Sequence, residues 1–310
     1  MLIIPFLLCT SWGFFAHKRI NRLAIFVLPD EMLSFYKRNH RYLTDHAVDA
    51  DKRRYADPYE APRHYIDVEN YEPHIDSIPE KWKDAVTKYG EQHLRQHGTV
   101  PWQIERVYFD LVKAFKDHDS VRILKHSADL GHYIGDAHVP LHTSSNHDGQ
   151  LTGQSGLHAF WESRLPELLA NQYQLLNNKA LYIENPLKEA WKIVQRSHLA
   201  VDTVIRFEAA LNRIFPPDQK YSYAKRGNIV IKQHSDAYTR AYDEMMHGMV
   251  EKRMSAAILS VASYWYSAWI DAGQPELRQF RSIRISADEK KQLNLIEKKY
   301  RQGKIIGREN

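Results

Sequence analysis

The segment HYIGDAHVPLH puts His132, Asp136 and His142 close together in the chain. His132 and Asp136 stand four apart, so on a helix they share one face. Pro140 ends that helix, and His142 just beyond the break can approach the same point from another direction. After a loop rich in Gly and Ser, His158 and Glu162 repeat the four-residue spacing. Upstream, Arg63-His64-Tyr65 closes a polar stretch, with Asp49 fifteen residues before His64. One such pair alone is more often a surface hydrogen bond than a metal site. The informative feature is the combination H-x3-D-x5-H, a loop, H-x3-E and an upstream D…H. Imidazole and carboxylate in this ratio suit zinc, and the ligands are too many for one tetrahedral ion, so a cluster is expected. His74, His93, His97, His126, His138 and His147 fit no second ligand and read as surface or packing residues.

The elements that must hold these residues are helical. AHKRINRLAIFVLP carries Ile20, Leu23, Ala24 and Val27 at helical spacing, and Pro29 ends it. Further helical patterns cover PDEMLSFYKRNHRYLTDHAV, PEKWKDAVTKYGEQHLRQ, PWQIERVYFDLVKAFKDH, VRILKHSADLGHYIGDAH, LHAFWESRLPELLA, 184–213 and 233–271, the last with a bend expected at Gly248. Residues 49–79 break the pattern and read as a long functional loop. YSYAKRGNIVI (221–231) is the one strand candidate. The expectation is a single-domain, all-α multi-helix bundle over 12–285, followed by a charged tail, 286–310, that reads as a solvated, fraying helix with Ser286 as its N-cap.

With 310 residues, 43% hydrophobic, the chain can bury a sizeable core and is not disordered as a whole. The single Cys9 excludes an intramolecular disulfide and a cysteine zinc cluster, and any metal site must use the 17 histidines and the carboxylates. Residues 1–11, MLIIPFLLCTS, read as a signal-peptide core without its basic leader, with Cys9 and Ser11 as the small residues before a cut at Trp12. The run is far short of the ~20 residues of a membrane span. A secreted or periplasmic protein is expected. The net charge of +5 suits a polyanion or an anionic membrane surface and does not choose between them.

These motifs resemble the trinuclear-zinc phosphodiesterase superfamily, which includes zinc-dependent phospholipase C and the fungal and plant single-strand-specific nucleases. The resemblance runs from Trp12 to about Glu162. It implies three zinc ions. One would be held by Asp49, His64, His132 and Asp136, and a second by His142, His158 and Glu162. A third would be held by the backbone of Trp12 with His17, Asp136 bridging it to the first. Asp51 is a competing match for Asp49. The fifteen-residue spacing favours Asp49 and leaves Lys52 where the nuclease branch has a basic residue. Glu162 follows the phospholipases, where the nucleases have Asp.

The resemblance further implies phosphodiester hydrolysis, with Asp49 orienting or deprotonating water and Lys52 or Arg53 adding a cation. Tyr65 and Asp67 match an aromatic and an acidic residue that stack on a base and bind its edge, and they could equally enclose a quaternary ammonium head group. The expected substrate is single-stranded nucleic acid or a nucleotide, by nuclease or 3′-nucleotidase action. The His17 spacing and the NHDGQLTGQSG loop favour it. Phospholipase C on phospholipid is the alternative, and a non-catalytic zinc-stabilised binding protein is a third reading. No protein partner is implied.

Overall fold

The computed structural model describes residues 13–176, 178–226, 229–280, 286–303 and 305–306. The expectations for Trp12, Cys9, Ser11 and the 1–11 run therefore lie outside the described residues. The chain is predominantly helical. In order it forms α1 (Phe14–Ala24), α2 (Asp30–Arg38), α3 (His40–Asp45) and α4 (Asp49–Arg53), then α5 (Trp82–His97), α6 (Val100–Lys116) and α7 (Ser120–Ala137). A single turn, α8 (Leu157–Ala159), runs into a π-helical turn (Phe160–Arg164) and α9 (Leu165–Leu169). There follow α10 (Pro186–Ile214), α11 (Asp236–Met245), α12 (Met249–Asp271) and α13 (Ala287–Arg301). β1 (Tyr221–Arg226) and β2 (Ile229–His234) pair antiparallel, Tyr221 opposite His234, where the one strand candidate was read.

The boundaries have local causes. Asp119 caps α7 by accepting from the amides of Val121 and Arg122, and Pro140 opens a 3-10 turn (Pro140–Thr143) directly after it. Gly248 at φ 69° separates α11 from α12, so the expected bend is a break between two helices. The long loop expected over 49–79 is corrected. It begins as α4 and continues through three 3-10 turns, Ala61–Arg63, Val68–Asn70 and Ile75–Ser77. Its polar composition had hidden these short elements.

α6, α7, α10 and α12 enclose the core, with α1 laid across α7 and α12. Trp265 of α12 stacks on Tyr36 of α2, ring centroids 5.0 Å apart, and its indole N–H donates to the Ser127 carbonyl on α7. Where α1 crosses α7, α7 presents Gly131 and Gly135. A Cβ at Gly131 would lie 2.0 Å from Asn21 Oδ1, and one at Gly135 would lie 2.9 Å from His17 Nδ1. Two glycines one turn apart thus let α1 bring His17 against the face of α7 that carries His132 and Asp136. The 286–310 tail is helical over α13, with a full capping box at Ser286 and Glu289. It lies on α4, where Glu297 pairs with Lys52 at 3.0 Å and Tyr300 packs edge-on to Tyr55. Among the described residues no helix is long and apolar enough to cross a membrane.

Candidate metal centre

Eight side chains from five parts of the chain converge as three ligand groups: His17, His132 and Asp136; Asp51, His64 and His132; His142, His158 and Glu162. All but the half-buried Asp51 are buried. α7 supplies His132 and Asp136 from one face, and the turn after Pro140 aims His142 at the same region. His158 and Glu162 come from the α8 turn and the π-turn that follows it.

The two central carboxylates are shared. Asp136 Oδ2 lies 3.0 Å from His64 Nδ1 and 3.3 Å from His132 Nε2, while Oδ1 lies 3.2 Å from His17 Nε2. Glu162 Oε2 lies 2.7 Å from His158 Nε2 and 3.4 Å from His142 Nε2, while Oε1 lies 3.2 Å from His17 Nε2. His17 therefore joins the two carboxylates, a contact to Glu162 that the spacing pattern did not suggest. A Cβ on Gly13 would lie 2.6 Å from Glu162 Oε1, so the chain just after Trp12 runs against the cluster.

The imidazoles are oriented as ligands. Nδ1–H of His132 donates to the Ala47 carbonyl at 2.9 Å, that of His142 to the His64 carbonyl at 2.8 Å, and that of His158 to the His147 carbonyl at 3.2 Å. Each bond sets the tautomer and leaves the Nε2 lone pair facing the carboxylates, the arrangement that metal-binding histidines use. Charge follows the same logic. Burial alone would raise the Asp136 carboxyl, but His132 and His142 outweigh it and hold it well below the usual range. Burial likewise opposes ionisation of Glu162, and His142, His158 and His17 hold it well below its ordinary value. His17 is held well above the usual imidazole value, since Asp136 and Glu162 overcome a burial effect that lowers it. Ionised carboxylates thus draw positive charge into a buried centre, as a metal cation would supply it. This donor set of imidazole nitrogen and carboxylate oxygen fits zinc.

Two expected catalytic residues are corrected. Asp49 does not face His64. Its Oδ2 lies 2.5 Å from His46 Nδ1, on the side of α4 covered by α13. Asp51 takes the place instead, Oδ1 3.8 Å from His64 Nδ1 and 3.7 Å from His132 Nε2. On a helix, residues two apart point about 200° apart, so only one of the two can face the centre. Lys52 turns outward to Glu297 of α13. The cation beside Asp51 is Arg54, missed by the sequence reading, buried with Nη1 3.8 Å from Asp51 Oδ1. Its signal was the three-residue spacing from Asp51.

Arg53 is held in a second network, with Nη1 2.9 Å from Asp129 and Nη2 3.3 Å from the buried Glu60. Burial opposes ionisation of Glu60, but Arg53, His64 and Tyr133 together outweigh it and hold the carboxyl well below the usual range. Tyr65 and Asp67 line one hollow of about 430 Å³ with Asn70, Arg95 and His97. The stacking role expected of Tyr65 is corrected, because the residue is 4% exposed and its hydroxyl donates to the Gln96 carbonyl at 3.2 Å. Gly98 at φ 91° lets the chain pass so close that a Cβ there would meet Tyr65 at 2.1 Å. Asp67 is also buried, with Oδ2 3.8 Å from His97 Nδ1. Among the other histidines, His138 is buried beside Arg253, which donates to its carbonyl, and burial first and Arg253 second push its imidazole down to about 3. No protein-family model and no curated protein sequence matches this chain.

Proposed function

We propose that the chain is a zinc-dependent phosphodiesterase whose cluster holds up to three zinc ions. The observation that carries this reading is the convergence of eight ligand side chains around two shared carboxylates, Asp136 and Glu162. Asp51, His64, His132 and Asp136 would hold one ion; His142, His158 and Glu162 a second; His17 with Asp136 a third, to which the Trp12 backbone is a further proposed ligand. Zinc supplies Lewis acidity, lowering the pKa of water and neutralising charge on a phosphate. The chain's own contribution lies at the edge of the cluster. Asp51 would take a proton from an attacking water, and Arg54, 3.8 Å from it, would neutralise a phosphate oxygen.

Single-stranded nucleic acid or a nucleotide is the proposed substrate, and secretion or a periplasmic location goes with it. The hollow that joins Arg95 to Asp67 and Asn70 supports an anionic substrate carrying a hydrogen-bonding base. Phospholipase C is the second reading, favoured by the Glu162 carboxylate and by the burial of Tyr65, which removes an exposed stacking surface. The test is a substrate panel of single-stranded DNA, RNA, a 3′-nucleotide and phosphatidylcholine, each with and without chelator. Chelator-sensitive cleavage of a nucleotide substrate is expected. Faster cleavage of phosphatidylcholine would replace the first reading by the second, and no cleavage of any would leave only a zinc-stabilised binding protein.

A further inference from the structure

His64 offers Nδ1 to the cluster, and its other ring nitrogen faces away from it. Nε2 is buried and makes no hydrogen bond, and Glu60 Oε1 lies 3.6 Å from it. Glu60 stands four residues before His64 and is completely buried. Its Oε2 accepts from Arg63 Nη1 at 2.6 Å, and its Oε1 accepts from Arg53 Nη2 at 3.3 Å and from the Tyr133 hydroxyl. Tyr133 follows His132 on α7, and its ring packs edge-on to His64 at 5.4 Å. Arg53 is tied in turn to Asp129 on α7 at 2.9 Å.

A buried carboxylate held by two guanidiniums and a phenol is poor value as a fold stabiliser, because desolvating such groups offsets most of their attraction. Its placement makes sense at the back of a ligand. Ligating histidines donate their second ring N–H to a carboxylate or carbonyl, which sets the tautomer and raises basicity. His132, His142 and His158 use backbone carbonyls for this. His64 has Glu60 in the corresponding position. We propose that Glu60 is a positioning residue for the metal centre, the outer carboxylate that orients His64 through Nε2 and is itself aimed by Arg53, Arg63 and Tyr133. This rests on the zinc reading above and adds to it a residue from outside the ligand set.

The experiment uses the full chain and compares wild type with Glu60→Gln, which keeps the shape and removes the charge. Zinc is withdrawn by competing chelator, and the visible spectrum is taken after cobalt substitution. One ion should be released about 10–100-fold more readily in the variant, with an altered cobalt band, while the His142–His158–Glu162 ion is unchanged. A folded variant with wild-type zinc retention and spectrum overturns the proposal, and so does equal weakening of every ion, which marks a purely structural role. If Glu60→Gln does not fold, Glu60→Asp keeps the charge but withdraws it by one methylene. Selective weakening of one ion supports the role there, and unchanged zinc retention overturns it. A wild-type protein that binds no zinc fails the metal reading itself.

Discussion

Asp136 Oδ1 lies 3.2 Å from His17 Nε2, while the other oxygen of the same carboxylate lies 3.0 Å from His64 Nδ1. One side chain on α7 thus faces ligands delivered by α1 and by the 3-10 turn before His64. Asp136→Ala should therefore release more than one ion, whereas His158→Ala should release one. Metal analysis of the two variants checks this, and equal losses would remove the bridging role from Asp136.

Asp51→Asn should lower kcat on the best substrate by about 10²–10⁴-fold, the range for losing a group that moves a proton in the reaction. Asp49→Asn and Lys52→Ala should stay within a few fold of wild type, since those side chains face His46 and Glu297. Steady-state kinetics on the three variants decides. A collapse with Asp49→Asn and normal turnover with Asp51→Asn would return the role to Asp49.

The contrast between these aspartates shows what was legible beforehand. His132 with Asp136, and His158 with Glu162, were readable because four-residue spacing on a helical turn puts both groups on one face whatever surrounds them. DADK offers two carboxylates on opposite faces of a short helix, and only the packing of α13 and His64 chooses between them. Arg54 and Glu60 were hidden for a related reason. Each lies three or four residues from a ligand, but Arg54 is one of three successive cations in DKRR and Glu60 sits in the irregular stretch DPYEAPR, where spacing does not tell which side chain turns inward. The burial of Tyr65 depends on the close passage of Gly98, thirty-three residues away, which no local pattern reports.

Gly135→Ala should disturb the centre without touching a ligand. The new Cβ would meet His17 Nδ1 at 2.9 Å and Cε1 at 3.1 Å, pushing α1 from α7. Overpacking of this kind costs about 1–3 kcal/mol. The variant should melt lower and retain less zinc at the His17 position, as thermal unfolding and metal analysis would show. Wild-type values in both would mean that α1 can yield without moving His17.

Stability should fall with acid through His138. Its folded value is pushed down to about 3 by burial and by Arg253, against an ordinary value of 6.5. The imidazole is neutral in the fold, so below about pH 6.5 the unfolded chain binds the proton and the folded chain does not. The stabilisation present above pH 6.5 is then lost at about 1.4 kcal/mol per pH unit as pH falls towards 3. Denaturant titration of metal-free wild type and His138→Gln at pH 7 and pH 5 checks the slope. The variant should lose less stability over that interval, and parallel losses would remove His138 as a cause.

Zinc content per chain, measured by inductively coupled plasma mass spectrometry on protein beginning at Trp12, bears most directly on the cluster. The arrangement of His17, Asp51, His64, His132, Asp136, His142, His158 and Glu162 predicts about three ions per chain, removed by chelator and restored by zinc. One ion per chain, or none after incubation with zinc, would contradict it.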